Sequence, residues 1–147
     1  MLLLPSYLSV KVSPYRKKKN RFIGTKKKDI IMATNGNDLI VGKGGGDIIN
    51  ARGGDDLIDP SRWTKGRFDL VKGGKGRDTF IVGDGYWVQI TDFNIKKDTL
   101  DLRGLNEGWY WEYFRHQQST HIFNFEGNDT ARIRGFVDLD NANIIWD

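Results

Sequence analysis

Aspartate followed by two large apolar residues occurs at Asp29, Asp38, Asp47 and Asp56, nine residues apart each time, in the stretch DIIMATNGNDLIVGKGGGDIINARGGDD. That spacing fits neither the period of about 3.6 residues of a helix nor the alternation of a long strand. It fits a short strand joined to a tight turn and repeated. In blocks of nine the segment reads GTKKKDIIM from Gly24, ATNGNDLIV from Ala33, GKGGGDIIN from Gly42 and ARGGDDLID from Ala51. After PSRW come TKGRFDLVK from Thr64 and GGKGRDTFI from Gly73. The sixth position is aspartate in every block, and the eighth is apolar in every block (Ile31, Ile40, Ile49, Ile58, Val71, Phe80).

A half-turn of a β-helix needs one inward apolar side chain on a short strand and then a turn, and nine residues supply both. Glycine permits the positive φ such a turn demands and lets carbonyl oxygens converge. A carboxylate among converging carbonyls is a hard oxygen site suited to Ca²⁺, whereas Mg²⁺ demands stricter geometry and keeps its waters. Transition metals favour imidazole or thiolate, which this segment lacks.

The blocks resemble the RTX, or haemolysin-type, calcium-binding nonapeptide G-G-x-G-x-D-x-U-x, a repeat of parallel β-helices. GGKGRDTFI meets every specified position. The second, third and fourth blocks keep glycine at position four (Gly36, Gly45, Gly54), while Lys27 and Arg67 make the first and fifth degenerate. The resemblance implies an all-β fold, a parallel β-roll over residues 24–85 capped by antiparallel strands in residues 86–147. It also implies calcium held by Asp38, Asp56, Asp78, Asp47 and Asp69 with turn glycines Gly36, Gly42, Gly44, Gly45, Gly53, Gly54, Gly73, Gly74 and Gly76. In this family successive nonapeptides lie on opposite sides, so Asp38, Asp56 and Asp78 form one stack and Asp29, Asp47 and Asp69 the other. The first stack has position-four glycine throughout and is expected to bind calcium best. The second is flanked by Lys26, Lys27, Lys28 and Arg67, and cations beside a cation site weaken it. Asp29 is expected to be a terminal cap with little or no metal.

The position-eight residues alone make a thin core. Without a cation the turn carboxylates repel and the glycines keep a large unfolded entropy, so folding is expected to be coupled to calcium. Apolar residues also occupy position seven (Ile30, Leu39, Ile48, Leu57, Leu70) and point outward. One outer face is therefore expected to pack against the C-terminal segment or a second chain.

Residues 86–147 read as strands. VQITDF and TLDLRG alternate around NIKKD, and THIFNF and ARIRGF flank EGND, which predicts two hairpins. WYWEYF places aromatic residues on both faces, which predicts a strand covered on both sides. The same segment resembles the β-region that follows the repeats in many secreted RTX proteins, through Ile90 to Phe93, Asp98 to Leu102, and Gly135 with Phe136. In that family the region caps the roll and carries an uncleaved C-terminal signal for type I secretion. Asp92, Asp98 and Asp101 read as turn and strand-edge carboxylates in preference to a peripheral calcium site.

Charge is unevenly distributed. Residues 1–28 hold nine basic and no acidic residues, leaving 14 basic and 19 acidic in the remainder. A basic arm over residues 1–23 thus precedes a mildly acidic body, and a disordered, solvated arm is expected. The alternative reading is a binding module for polyanionic surfaces (nucleic acid, anionic lipid or lipopolysaccharide) through Arg16, Lys17, Lys18, Lys19 and Arg21. Nucleic acid is the less favoured of these partners. Further alternatives are a leader translated from a start codon placed too early, or a detached C-terminal piece of a larger RTX toxin or hydrolase.

The chain contains no cysteine, so disulfides and thiolate chemistry are excluded. No apolar run approaches membrane-spanning length, and MLLLPSYLSV is a poor secretory signal because it lacks a basic leader and a cleavage site. His116 and His121 are not spaced as a zincin pair, no G-x-S-x-G occurs, and GKG at Gly42 and Gly74 lacks the P-loop frame. DLDNAN near Asp138 lacks the EF-hand glycine and reads as a surface turn. Only about 23 residues precede the repeats, so no catalytic domain is expected. The expected role is calcium binding in an extracellular, non-enzymatic protein, with calcium and type I secretion machinery as partners.

Overall fold

The computed structural model describes residues 20–60, 67–83, 85–105, 108–124 and 126–146. Along the nonapeptides the strands are β1 (Asn20–Ile23), β2 (Ile30–Met32), β3 (Asp38–Val41), β4 (Ile48–Asn50), β5 (Leu57–Asp59), β6 (Asp69–Lys72) and β7 (Thr79–Gly83). Then come β8 (Val88–Ile90), β9 (Thr99–Gly104), β10 (Trp109–Phe114), β11 (Ser119–Asn124), β12 (Asp129–Arg134), a 3-10 turn at Leu139–Asn141 and β13 (Asn143–Ile145). No helix among the described residues is long and apolar enough to cross a membrane.

Successive strands from β1 to β9 fall in opposite sheets, which makes the chain a parallel β-solenoid of about four turns. One sheet runs β1-β3-β5-β7-β9-β13 and is parallel throughout. The other runs β10-β11-β12-β8-β6-β4-β2, parallel from β2 to β12 and antiparallel across β10, β11 and β12. One full coil takes two nonapeptides, so Leu39 pairs with Leu57 and Ile30 with Ile48. The PSRW insertion lengthens the next coil, and Leu57 then pairs with Thr79 and Ile48 with Leu70 without a change of face.

Position eight points inward in every block: Ile40, Ile49, Ile58, Val71 and Phe80 are at most 1% exposed, and Ile31, in the first coil, is 8% exposed. Burial of each contributes about 1.5–3 kcal/mol. The same core continues through Val88, Ile90, Leu100, Leu102, Ile133 and Leu139 without a break after residue 85.

Four sequence expectations change. VQITDF and TLDLRG do not form a hairpin: β8 adds to β6 in one sheet and β9 to β7 in the other. NIKKD is a further solenoid turn, because its neighbouring strands bury Val88, Ile90, Leu100 and Leu102 as the nonapeptides do. The roll also begins earlier than residue 24, since Asn20–Ile23 pairs with β3; residues 1–19 lie outside the described residues. WYWEYF is the outermost strand, paired with β11, and leaves Tyr110 and Glu112 exposed. Among the described residues the C-terminal segment extends the sheets and is not laid over their outer faces, so of the two expected coverings only a second chain remains; Leu39, Ile48, Leu57 and Leu70 are half-buried and Ile30 is 70% exposed. The hairpin of THIFNF and ARIRGF does form, as β11 and β12, with a register shift at Ile122/Phe123.

Candidate metal centre

The solenoid stacks the position-six aspartates. The main-chain N–H of Asp38 donates to Asp56 Oδ1 (2.8 Å), that of Asp56 to Asp78 Oδ1 (3.1 Å), and that of Asp78 to Asp98 Oδ1 (3.1 Å). On the other side Asp29 N–H donates to Asp47 Oδ1 (2.9 Å) and Asp47 N–H to Asp69 Oδ1 (2.6 Å). Asp38, Asp47, Asp56, Asp69 and Asp78 are all buried. Each carboxylate thus spends one oxygen on the preceding coil, which fixes the direction of the other.

That second oxygen meets two different environments. Asp47 Oδ2 and Asp78 Oδ2 are buried and have no hydrogen-bond partner. Position-one glycine sits against them: a Cβ added to Gly42 would lie 2.7 Å from Asp47 Oδ2, and one added to Gly73 would lie 2.5 Å from Asp78 Oδ2. In contrast, Asp38 Oδ2 accepts from Thr34 N–H (2.8 Å) and the Thr34 hydroxyl (2.9 Å), and its Oδ1 accepts from Asn20 Nδ2 (2.9 Å). Asp29 Oδ2 accepts in the same way from Thr25 N–H (2.6 Å) and hydroxyl (2.9 Å).

Position-four glycines stack across coils. Gly45, Gly54 and Gly76 have φ of 126°, 114° and 124°, and a Cβ on Gly76 would fall on the carbonyl of Gly54, as one on Gly54 would on that of Gly36. Gly44 N–H donates to Thr25 O (3.2 Å), Gly53 N–H to Thr34 O (3.3 Å), and Gly74 lies against the Arg52 carbonyl.

Burial pushes the Asp78 carboxyl up to about 7 and that of Asp69 up to about 6; Asp47 is raised for the same reason. The charges acting on these three groups are other carboxylates: Asp29 on Asp47, Asp47 on Asp69, and Asp56, Asp98 and Asp92 on Asp78. Buried carboxylates repelling one another are stable when a cation enters. Among the described residues no three Asp, Glu, His or Cys side chains converge on one point. A cation in the turns must therefore be completed by main-chain carbonyls, the hard, flexible oxygen set that suits Ca²⁺. The donor chemistry, the unpartnered oxygens of Asp47 and Asp78, and the glycine cradles fit calcium.

Asp98 is a stack member that the sequence reading placed at a turn. It is buried, its Oδ2 accepts from Asn94 N–H (2.8 Å), and burial raises its carboxyl. Asp92 accepts from Gly73 N–H and Gly74 N–H (both 2.9 Å), while Asp101 pairs with Arg103 (2.6 Å). Of the basic arm, Arg21 lies exposed on β1, and Arg16, Lys17, Lys18 and Lys19 are outside the described residues.

A second polar constellation was invisible in the sequence. Ser119 Oγ lies 2.8 Å from His121 Nε2, His121 Nδ1 lies 3.1 Å from Asp129 Oδ2, and Arg132 Nε donates to the same oxygen (2.7 Å). The connectivity is that of a Ser-His-Asp triad. Ser119 and His121 are only 7% and 3% exposed, and His121 packs against Phe114 at 4.5 Å. The His121–Asp129 contact and the Arg132–Asp129 pair tie β11 to β12. His116 is exposed in the adjoining turn.

Comparison with known proteins agrees with the repeat geometry. The family model described as the RTX calcium-binding nonapeptide repeat (4 copies) matches residues 23–59 and 64–86. No curated protein matches the chain by sequence. Among solved structures, the AlgE6R3 subunit of the Azotobacter vinelandii mannuronan C5-epimerase is similar with a TM-score of 0.61 and 21% identity, over 86% of this chain and 82% of that one. The AlgE6R2 subunit from the same organism gives 0.61 and 19%, over 88% and 92%. These likenesses are of fold. The chain thus carries RTX calcium-binding nonapeptide repeats over residues 23–59 and 64–86, on a fold shared with these repeat subunits.

Proposed function

We propose that the protein is a non-catalytic, exported calcium-binding module whose roll folds as it takes up calcium. RTX nonapeptide repeats bind Ca²⁺. For this chain the supporting observation is the pair of buried, unpartnered oxygens, Asp47 Oδ2 and Asp78 Oδ2, in carboxylate stacks that repel themselves.

Bound calcium supplies the positive charge that the stacks lack. Asp56 and Asp78 hold it in one stack, and Asp47 and Asp69 in the other. The turn glycines keep side chains out of the space where carbonyls converge. The main-chain N–H groups at Asp38, Asp56 and Asp78 orient the next carboxylate, so occupancy of one turn favours the geometry of its neighbour. Extracellular calcium modules typically bind at about 10⁻⁴ to 10⁻³ M. Such a chain stays loose where calcium is scarce and closes after export.

Isothermal titration of the full chain with CaCl₂ and with MgCl₂ tests this reading. Calcium should bind while magnesium at equal concentration does not, and Asp47→Asn with Asp78→Asn should lower the calcium stoichiometry. Equal binding of both metals, or a double variant that titrates like the wild type, would contradict it. Export is tested separately by the fraction of the full chain recovered in the medium of cells that express a type I system; retention inside the cells would refute it.

A further inference from the structure

Among the described residues the nonapeptide turns 24–29, 33–38, 42–47, 51–56 and 73–78 are of two kinds, and the difference does not follow the glycine at position four. In 42–47, 51–56 and 73–78, position two lies in the left-handed region (Lys43 φ 76°, Arg52 φ 73°, Gly74 φ 99°), and so does position four. In 24–29 and 33–38, position two is threonine, and none of Thr25, Lys27, Thr34 and Gly36 is left-handed. Instead the threonine Oγ1 accepts the N–H two residues on, from Lys27 (3.1 Å) in one turn and Gly36 (3.1 Å) in the other. This is a hydroxyl-closed turn, which bends the chain without positive φ.

The same hydroxyl and its own N–H then fill the Oδ2 of the position-six aspartate, at Asp29 and at Asp38. Position one does not follow this division, because Gly24 stands beside Asp29 (a Cβ there would lie 3.0 Å from Oδ2) and Ala51 opens the turn of Asp56; the threonine at position two is what separates the two kinds. A carboxylate that already receives several hydrogen bonds gains little from a cation, whereas a buried oxygen with none costs about 1–3 kcal/mol until one arrives.

We propose that threonine replaces calcium in the two N-terminal turns: Thr25 and Thr34 seal Asp29 and Asp38, and the calcium array begins at the turns of Asp47 and Asp56. This rests on the calcium reading above and departs from the sequence expectation at Asp38, whose stack and glycine Gly36 look complete. For Asp29 it gives a different cause from the neighbouring lysines. The first coil is then a metal-independent cap on a metal-dependent roll.

Equilibrium dialysis of the full chain against CaCl₂ tests it, with far-UV circular dichroism confirming that each variant is folded at saturating calcium. Asp38→Asn should keep the wild-type stoichiometry, and Asp78→Asn should lose calcium. The double variant Ala33→Gly with Thr34→Gly, which converts ATNGND into a full repeat, should gain one calcium per chain. Loss of calcium in Asp38→Asn equal to that in Asp78→Asn, or a folded double-glycine variant with unchanged stoichiometry, overturns the sealing while leaving the calcium reading intact. A wild-type chain that binds no calcium overturns both.

Discussion

Gly36 and Gly76 occupy the same position of the repeat, yet alanine at the two sites should have effects of different size and opposite sign. Gly76 has φ of 124°, and an added Cβ would fall on the carbonyl of Gly54 in the preceding coil. A left-handed backbone costs an L-residue roughly 1–2 kcal/mol. The overlap is with main chain held in stacked turns, and such overpacking adds about 1–3 kcal/mol. Gly36 is not left-handed, and its Cβ would meet only Thr34 Oγ1, at 3.6 Å. Alanine there restricts the unfolded chain and is worth about 0.4–1 kcal/mol of added stability. At roughly 2–4 °C per kcal/mol for a chain of this size, Gly76→Ala should lower the Tm at saturating calcium by about 4–20 °C, and Gly36→Ala should raise it by a few degrees. The assay is a thermal melt followed at the β signal. Equal losses at the two sites would refute the division of the turns into two kinds.

Other outcomes follow from individual residues. Arg52→Gly relieves a non-glycine left-handed residue (φ 73°) and restores glycine at position two, so the calcium midpoint should fall and the Tm rise; a higher midpoint would contradict this. Asp78→Asn removes a carboxyl that burial pushes up to about 7 and takes away a proposed calcium ligand. It should therefore lose stability in calcium but not in EGTA, and equal losses in both media would refute the ligand role. His121 has its pKa lowered, chiefly by burial, so the unfolded chain binds its proton first as the pH falls. Its contribution is complete above the ordinary value of about 6.5 and is lost below it, by at most about 1.4 kcal/mol per pH unit. Between pH 7 and 5 at fixed saturating calcium, the melt of wild type should fall more steeply than that of His121→Gln; parallel curves would count against a buried neutral histidine.

How much was legible depended on whether a feature was local. The nine-residue period and the apolar position eight made short strands with inward Ile40, Ile49, Ile58 and Val71 legible, while the two sheets and the aspartate stacks were implied by the resemblance to the RTX repeat. Asp98 escaped because its turn carries no glycine and stands 20 residues from Asp78, off the repeat. The turn NIKKD looks like a hairpin turn, and only the buried ladders of β8 and β9 show that the coil goes on. Gly36 and Gly76 are identical letters in matching places; what separates them is the hydroxyl of Thr34 two positions earlier. The Ser119, His121 and Asp129 relay joins residues across a strand pair, and no spacing announces it.

The central claim is that calcium completes the roll, and a far-UV circular dichroism titration of the full chain, from EGTA into CaCl₂, addresses it most directly. The β signal should be weak in EGTA and grow cooperatively with a midpoint of about 10⁻⁴ to 10⁻³ M, with no response to MgCl₂ over the same range. A full β spectrum in EGTA that calcium leaves unchanged would contradict the claim.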